Sequence, residues 1–244
     1  MPWSRLRRPL QEAFHVTVQS PSAPGSWSPP RWLGLITALL ILLGLYFALV
    51  YAPPERTMGD VQRIFYFHVA SAWNAFFAFF VVAASSIGYL ITRTPRWDHI
   101  AHASAEVGVL FTTLTLMGGT LWMRPIWNTW WTWDPRLTTT LILWFIYVGY
   151  LLLRSLTEGA ERQARYAAIF GIIGFIDVPI VYLSAVWWRT IHPSPTETSF
   201  ASPMVHALVI NVLAYTALYV FLTLFRSRQL RLERRIRELR EALR

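Results

Sequence analysis

Two histidines, two arginines and a cluster of tryptophans are the residues of this chain whose types and spacing could hold a ligand. The segment Trp127-Asn-Thr-Trp130-Trp131-Thr-Trp133-Asp134-Pro-Arg136 places four indoles, one carboxylate and one guanidinium within ten residues. Indole favours a boundary with one wet and one apolar side, so tryptophans commonly anchor helix ends in a membrane interface. A belt of that kind spreads one or two rings over each helix end. Four rings in one connection, beside Asp134 and Arg136, also fit a flat shelf for a flat, partly charged ligand. His68 and His192 supply matching chemistry, because two neutral imidazoles can ligate a haem iron from opposite faces through Nε2. The porphyrin needs aromatic walls, which Trp127, Trp130, Trp131 and Trp133 would form. Its propionates need guanidinium forks, and Arg63 and Arg136 lie near the right helix ends. A bare zinc site fits less well. It takes three or four closely set ligands and leaves the indoles without a role.

The elements that must carry these residues are membrane spans. Apolar types make up 55% of the chain and charged types 14%, with a mean hydropathy of +0.38. Soluble domains carry roughly 25% charge. There is no Cys, which excludes disulfides, thiolate catalysis and cysteine metal sites. Six apolar stretches, near 32–52, 65–92, 101–123, 137–153, 166–188 and 204–225, can each cross ~30 Å of hydrocarbon. The expected fold is an all-α integral membrane protein, a six-helix transmembrane bundle. Residues 1–31 are polar, basic and rich in Ser and Pro, and are expected to form a disordered tail, not a signal peptide. Residues 32–225 form the membrane domain, with an external tryptophan-rich loop at 124–136, and 226–244 form a basic amphipathic helix.

Arginine placement sets the orientation. The net charge of +9 comes from arginine alone, as the chain has no Lys, and reads as a topology signal and not as nucleic-acid binding. Seventeen arginines gather at one set of helix ends, eight of them within 226–244. Only Arg56, Arg63, Arg124, Arg136 and Arg189 lie at the other. Both termini are therefore expected in the cytoplasm, with the connections 53–64, 124–136 and 189–203 outside. His68 then lies one turn into the second span from its outer end, and His192 just past the outer end of the fifth. Either histidine alone could cap a helix or sit among headgroups. Their convergence with the tryptophan loop, on one face at one depth, favours a joint site.

The remaining polar residues carry weaker signals. His99 and His102 open the third span on the inner side, where headgroup contact is expected. His206 opens the sixth on the outer side and could be a spare ligand, and His15 is in the tail. Glu106 and Asp177 are intramembrane carboxylates that could relay protons or simply pack, and no further acidic chain leads from them. Leu232, Ile236, Leu239 and Leu243 form one stripe of a helix within an Arg/Glu field. That stripe could lie on the anionic inner leaflet or dock a partner.

The motifs resemble those of a known family. Residues Pro125 to Leu137, with the Trp130-Trp131-Thr-Trp133-Asp134 core, look like the tryptophan-rich "WWD" signature of the haem-handling proteins of cytochrome c maturation. Arg63-Ile-Phe-Tyr-Phe-His68-Val-Ala-Ser-Ala-Trp73 and Val186-Trp187-Trp188-Arg-Thr-Ile-His192 resemble the two histidine segments of its short, CcmC-type members. The likeness covers roughly residues 40–195, with three motifs in order. Asn128 stands where that signature usually has Gly, and Ala70 where the first histidine segment usually has Pro. Both departures touch backbone geometry and not ligand chemistry.

The resemblance implies a non-enzymatic delivery subunit in the bacterial cytoplasmic (inner) membrane. It implies haem b bound at the outer face, with His68 and His192 as axial ligands, and transfer to a periplasmic haem chaperone (CcmE-like). It also implies a second membrane subunit and a cytoplasmic ATP-binding subunit in an ABC-type complex. No Walker A pattern occurs in this chain, so any ATPase belongs to a partner. Two rival classes remain from the residues. A membrane haem-b electron-transfer protein would bury histidine pairs in facing spans. A transporter of haem or a small solute would show broken helices and a midplane polar site, hinted at only by Gly171, Gly174, Asp177 and Pro179.

Overall fold

The computed structural model describes residues 30–192 and 200–243, so most of the expected disordered tail lies outside the described residues. Helix α1 (Arg31–Tyr46) runs into a π-helical turn, Phe47–Tyr51. A short 3-10 turn, Asp60–Arg63, leads into α2 (Ile64–Thr92), followed by α3 (Pro95–Trp127) and α4 (Pro135–Leu156). The fifth span is split into α5 (Ala160–Phe175) and α6 (Asp177–Trp187), and α7 (Ser202–Ala242) closes the chain. Among the described residues, six spans are long and apolar enough to cross a membrane. An even number of spans sets the start of α1 and the end of α7 on the same side.

Local sequence explains the punctuation. Pro95, Pro135 and Pro203 sit in the first turns of α3, α4 and α7, where a missing N–H breaks no intrahelical bond. The break at Ile176 follows from Pro179, which cannot donate to the carbonyl of Phe175. Arg93 and Asn128 end α2 and α3 in the left-handed conformation, each at φ 54°. At position 128 that conformation suits the Gly of the signature that this segment resembles. Asn is the next residue type to tolerate it.

Helix α2 is the centre of the bundle and packs against α3, α5 and α7, while α1 lies along α7 and α6 along α4. Small residues let the backbones approach. A Cβ on Gly108 would come within 2.5 Å of the Phe79 ring, and one on Gly174 within 2.7 Å of Ile146. The Phe79 ring stacks on Tyr147 at 3.6 Å, in a core shared with Phe111, Leu143 and Tyr150. Gly171 and Gly174 in α5 thus serve close packing. At the end of the bundle opposite the tryptophan loop, buried Arg154 grips Asp98 through two bonds of 2.7 and 2.9 Å, tying α4 to the start of α3.

Two boundaries differ from the expected ones. The tryptophan loop was expected over 124–136. In the structure α3 continues to Trp127, because Asn128 is the residue that closes it, and α4 begins at Pro135. Trp127 therefore rides on a helix and only Trp130, Trp131 and Trp133 lie in the connection. The amphipathic segment from 226 onward is continuous with the sixth span, as α7 has no break between Ser202 and Ala242.

Candidate functional site

His68 lies on the second turn of α2, where its ring faces α3. Its Nδ1 meets the backbone carbonyl of Thr115 at 3.0 Å. A carbonyl only accepts, so Nδ1 carries the proton and Nε2 is left with its lone pair free to ligate. The ring rests over Gly118 and Gly119. A Cβ on Gly119 would sit 3.2 Å from His68 Cε1, and one on Gly118 no closer than 3.6 Å. Trp122, one turn further along α3, places its indole 6.1 Å from the imidazole. Thr115, Gly118, Gly119 and Trp122 were not picked out by reading the chain. Their only signal is a glycine pair in a helix, between two and three turns before the tryptophan loop.

His192 comes from the connection after α6, and Asp134 holds that connection in place. The Asp134 side chain caps α4 by accepting the Arg136 N–H at 2.9 Å. The same carboxylate accepts the Thr190 hydroxyl at 2.8 Å and the Ile191 N–H at 2.9 Å. The Thr190 hydroxyl oxygen in turn accepts the His192 N–H at 3.0 Å. Asp134 is only 8% exposed, so these bonds are shielded from water.

The outcome is that the two imidazole rings lie 6.4 Å apart, inclined at 39°. One metal ion with an imidazole nitrogen about 2 Å away on either side sets ring centroids roughly 6 Å apart. The spacing is therefore one at which two imidazoles can share a metal ion. Arg136 stands next to the pair. Its Nη2 donates to the Tyr182 carbonyl at 2.6 Å and its Nη1 approaches His192 Nδ1 at 3.4 Å. Its Nε is buried without an acceptor among the described residues, as is the Trp122 indole N–H. Buried donors of this kind mark where a ligand acceptor would be welcome.

The other expected residues are placed unequally. Arg63 has its guanidinium on the end of the first span, donating to the carbonyls of Ala48 and Ala52 at 2.7 and 3.0 Å and to Asp60 at 2.8 Å. Ala48 lies in the π turn that follows α1 and Ala52 just past it, at a helix end where acceptors lack intrahelical partners. Trp133 is 75% exposed and Trp130 57%, whereas Trp131 is half-buried and meets Trp133 edge-on at 5.8 Å. Arg124 lies over the Trp130 ring at 5.8 Å and also donates to Asn128. Thr132, Trp133, Asp134, Arg189, Thr190 and Ile191 border an open depression of about 420 Å³ that neither histidine lines. His206 is exposed and its Nδ1 lies 3.3 Å from the Tyr51 hydroxyl. Away from this site, Glu106 is bonded to Arg226 and lies 3.2 Å from His102, and Asp177 is partly buried at the start of α6. Among the described residues no cluster of three His, Cys, Asp or Glu could hold a metal ion.

Comparison with known proteins finds relatives along most of the chain. The family described as "Heme exporter protein C" matches residues 23–242. A "Heme exporter protein C" of Bradyrhizobium diazoefficiens is 37% identical over 217 residues, covering 85% of this chain and 81% of that protein. Proteins of the same description from Haemophilus influenzae and Escherichia coli K12 are 34% and 32% identical. They cover 79% and 84% of this chain, and 80% and 84% of their own lengths.

Proposed function

The chain belongs to the heme exporter protein C family, and from that premise we propose that it holds haem b at the outer face of the bacterial cytoplasmic membrane and passes it to a periplasmic haem chaperone during c-type cytochrome biogenesis. Membership carries the coarser statement, a multi-pass membrane protein that handles haem for cytochrome c maturation. The observation that supports the finer one is the 6.4 Å separation of the His68 and His192 rings at the end of the bundle that carries the tryptophan loop. A pair at a helix end, joined to a connection, suits a ligand that must enter and leave. A pair buried between spans would suit a resident redox centre.

In this reading His68 and His192 are the axial ligands. Trp127, Trp130, Trp131 and Trp133 offer aromatic surface to the porphyrin and to the incoming chaperone. Asp134 positions His192. Arg136 binds a propionate, and in doing so leaves His192 Nδ1, which must carry a proton if Nε2 is to ligate. Arg63 reaches the second propionate only from a guanidinium already bonded to Ala48 and Ala52, so its share is the smaller. Both chain ends lie in the cytoplasm. The chain itself is a delivery subunit and not an enzyme. A second membrane subunit and a cytoplasmic ATP-binding subunit complete an ABC-type complex, and ATP hydrolysis belongs to the latter.

The test is a transfer assay. Purified haem-loaded protein is mixed with apo-chaperone, and haem is followed from one to the other. The reading expects loaded wild-type protein to transfer haem, and protein lacking either histidine to transfer little. Transfer that is indifferent to both histidines contradicts it.

A further inference from the structure

The far end of α7 has no part in the outer site. Helix α7 counts 41 residues. At 1.5 Å per residue it is about 62 Å long, twice the ~30 Å of hydrocarbon. Its outer end is fixed by Tyr51 and by Asn211, which donates to the Gly44 carbonyl at 3.0 Å. Its apolar stretch ends at Arg226, which clasps Glu106 of α3 and Glu233 two turns further along. Among the described residues, Leu230 is the last buried one. Residues 231–242 continue about 18 Å past it.

This extension carries an apolar stripe in the open. Leu232 is 50% exposed, Ile236 49%, Leu239 58% and Leu243 88%. Their spacing of four, three and four is that of a helix seam built to meet a partner. Arg235 and Arg240 flank the seam, and residues 226–244 hold eight Arg against three Glu.

Three occupants are disfavoured. To lie on the membrane surface the helix would have to turn sharply at the boundary. Sharp turns need Pro, Gly or a π bulge, and 204–242 contains neither Pro nor Gly and is α-helical throughout. A second copy in the same membrane would run its α7 parallel, which sets Arg235 of one seam beside Arg240 of the other, a like-charge pair. The N-terminal stretch 1–29 holds three Arg and one Glu, the same sign as the seam's flanks.

We propose that the Leu232–Ile236–Leu239 face of α7 is a docking helix for a water-soluble protein that offers an apolar groove edged by carboxylates. The charge and the lift away from the membrane both select such a partner. The ATP-binding subunit proposed above is the probe, and only that choice rests on the haem-delivery reading.

The chain has no Cys, so a single thiol can report on the seam. L239C in the full-length protein is labelled in inside-out membrane vesicles with a water-soluble maleimide, with and without the co-expressed ATP-binding subunit. The expected result is ready labelling of the chain alone and about tenfold less in the complex, the fold-change of a contact worth about 1.4 kcal/mol. R235E/R240E should restore labelling in the presence of the subunit, while haem content stays at the wild-type level. Three results overturn the proposal. They are no labelling of the chain alone, which means burial in lipid, disulfide-linked dimers of the L239C chain, which mean self-pairing, and labelling that the subunit does not reduce. None of these touches haem binding at the outer end, so failure here is distinguishable from failure of the haem reading.

Discussion

The carboxylate of Asp134 accepts the backbone N–H of Ile191 at 2.9 Å, so the residue that caps α4 also fixes the segment that delivers His192. A loop with no helical register of its own thereby acquires a fixed end. The histidine on α2 needs no such device, since the helix already sets its depth and Thr115 sets its ring.

Asp134→Ala removes the cap and both ties to 190–191. The cap alone is worth about 1 kcal/mol. The variant should fold, retain haem poorly, and bind it through one histidine. Asp134→Asn is the finer probe. Its Oδ1 still accepts from Arg136 and Thr190, but its amide cannot accept the Ile191 N–H. Haem-to-protein ratios after purification should order wild type above Asn above Ala. Equal ratios in all three would remove Asp134 from the positioning of His192.

Gly119→Ala brings a methyl to 3.2 Å from His68 Cε1, tighter than an ordinary contact, so the ring must shift by a few tenths of an ångström. Gly118→Ala meets His68 at 3.6 Å, an ordinary contact. The first substitution should weaken haem retention or alter its spectrum, and the second should leave both near wild type. Absorption spectra of the two variants at equal protein concentration check this. The opposite order would mean that the His68 ring is not held against Gly119.

Asn128→Gly should be neutral or slightly stabilising, because the residue sits at φ 54°. Asn128→Val should cost at least roughly 1–2 kcal/mol at this left-handed position. It should lower the thermal midpoint and impair haem transfer by misdirecting the tryptophan loop. A valine variant with wild-type stability and transfer would show that the end of α3 tolerates another path.

Much of the scaffold was legible in the chain because membrane spans are long, apolar and punctuated. Pro30, Pro95, Pro135 and Pro203 stand at or next to helix starts, as proline's missing N–H requires. Alternating sides of the membrane were enough to bring His68 and His192 to one end without any knowledge of packing. Atomic partners were not legible. Arg63 was expected at a propionate from its side of the membrane and its distance from His68. Nothing in the sequence announces that the first span ends in a π turn whose carbonyls it would meet. The length of α7 was hidden as well, because the switch from apolar to charged at Arg226 looks like the end of a helix when it is only the end of the hydrocarbon. Gly118 and Gly119 drew no notice, since a glycine does not say which side chain it admits.

Single Trp→Ala changes at 127, 130, 131 and 133 should leave haem bound. Losing one aromatic stack costs on the order of 1 kcal/mol, and two His–iron bonds survive it. Exposed Trp130 and Trp133 should matter more for transfer to the chaperone than half-buried Trp131, whose loss should lower stability instead. Haem content and transfer rate measured side by side separate the two effects. Full transfer by every variant would make the cluster an interfacial anchor.

The most direct measurement is the absorption spectrum of the purified, haem-loaded protein beside His68→Ala and His192→Ala. The account predicts a six-coordinate, bis-imidazole spectrum for the wild type and a five-coordinate form or lost haem in each variant. Each variant should recover a six-coordinate form when free imidazole is added. Spectra of both variants identical to that of the wild type would contradict it.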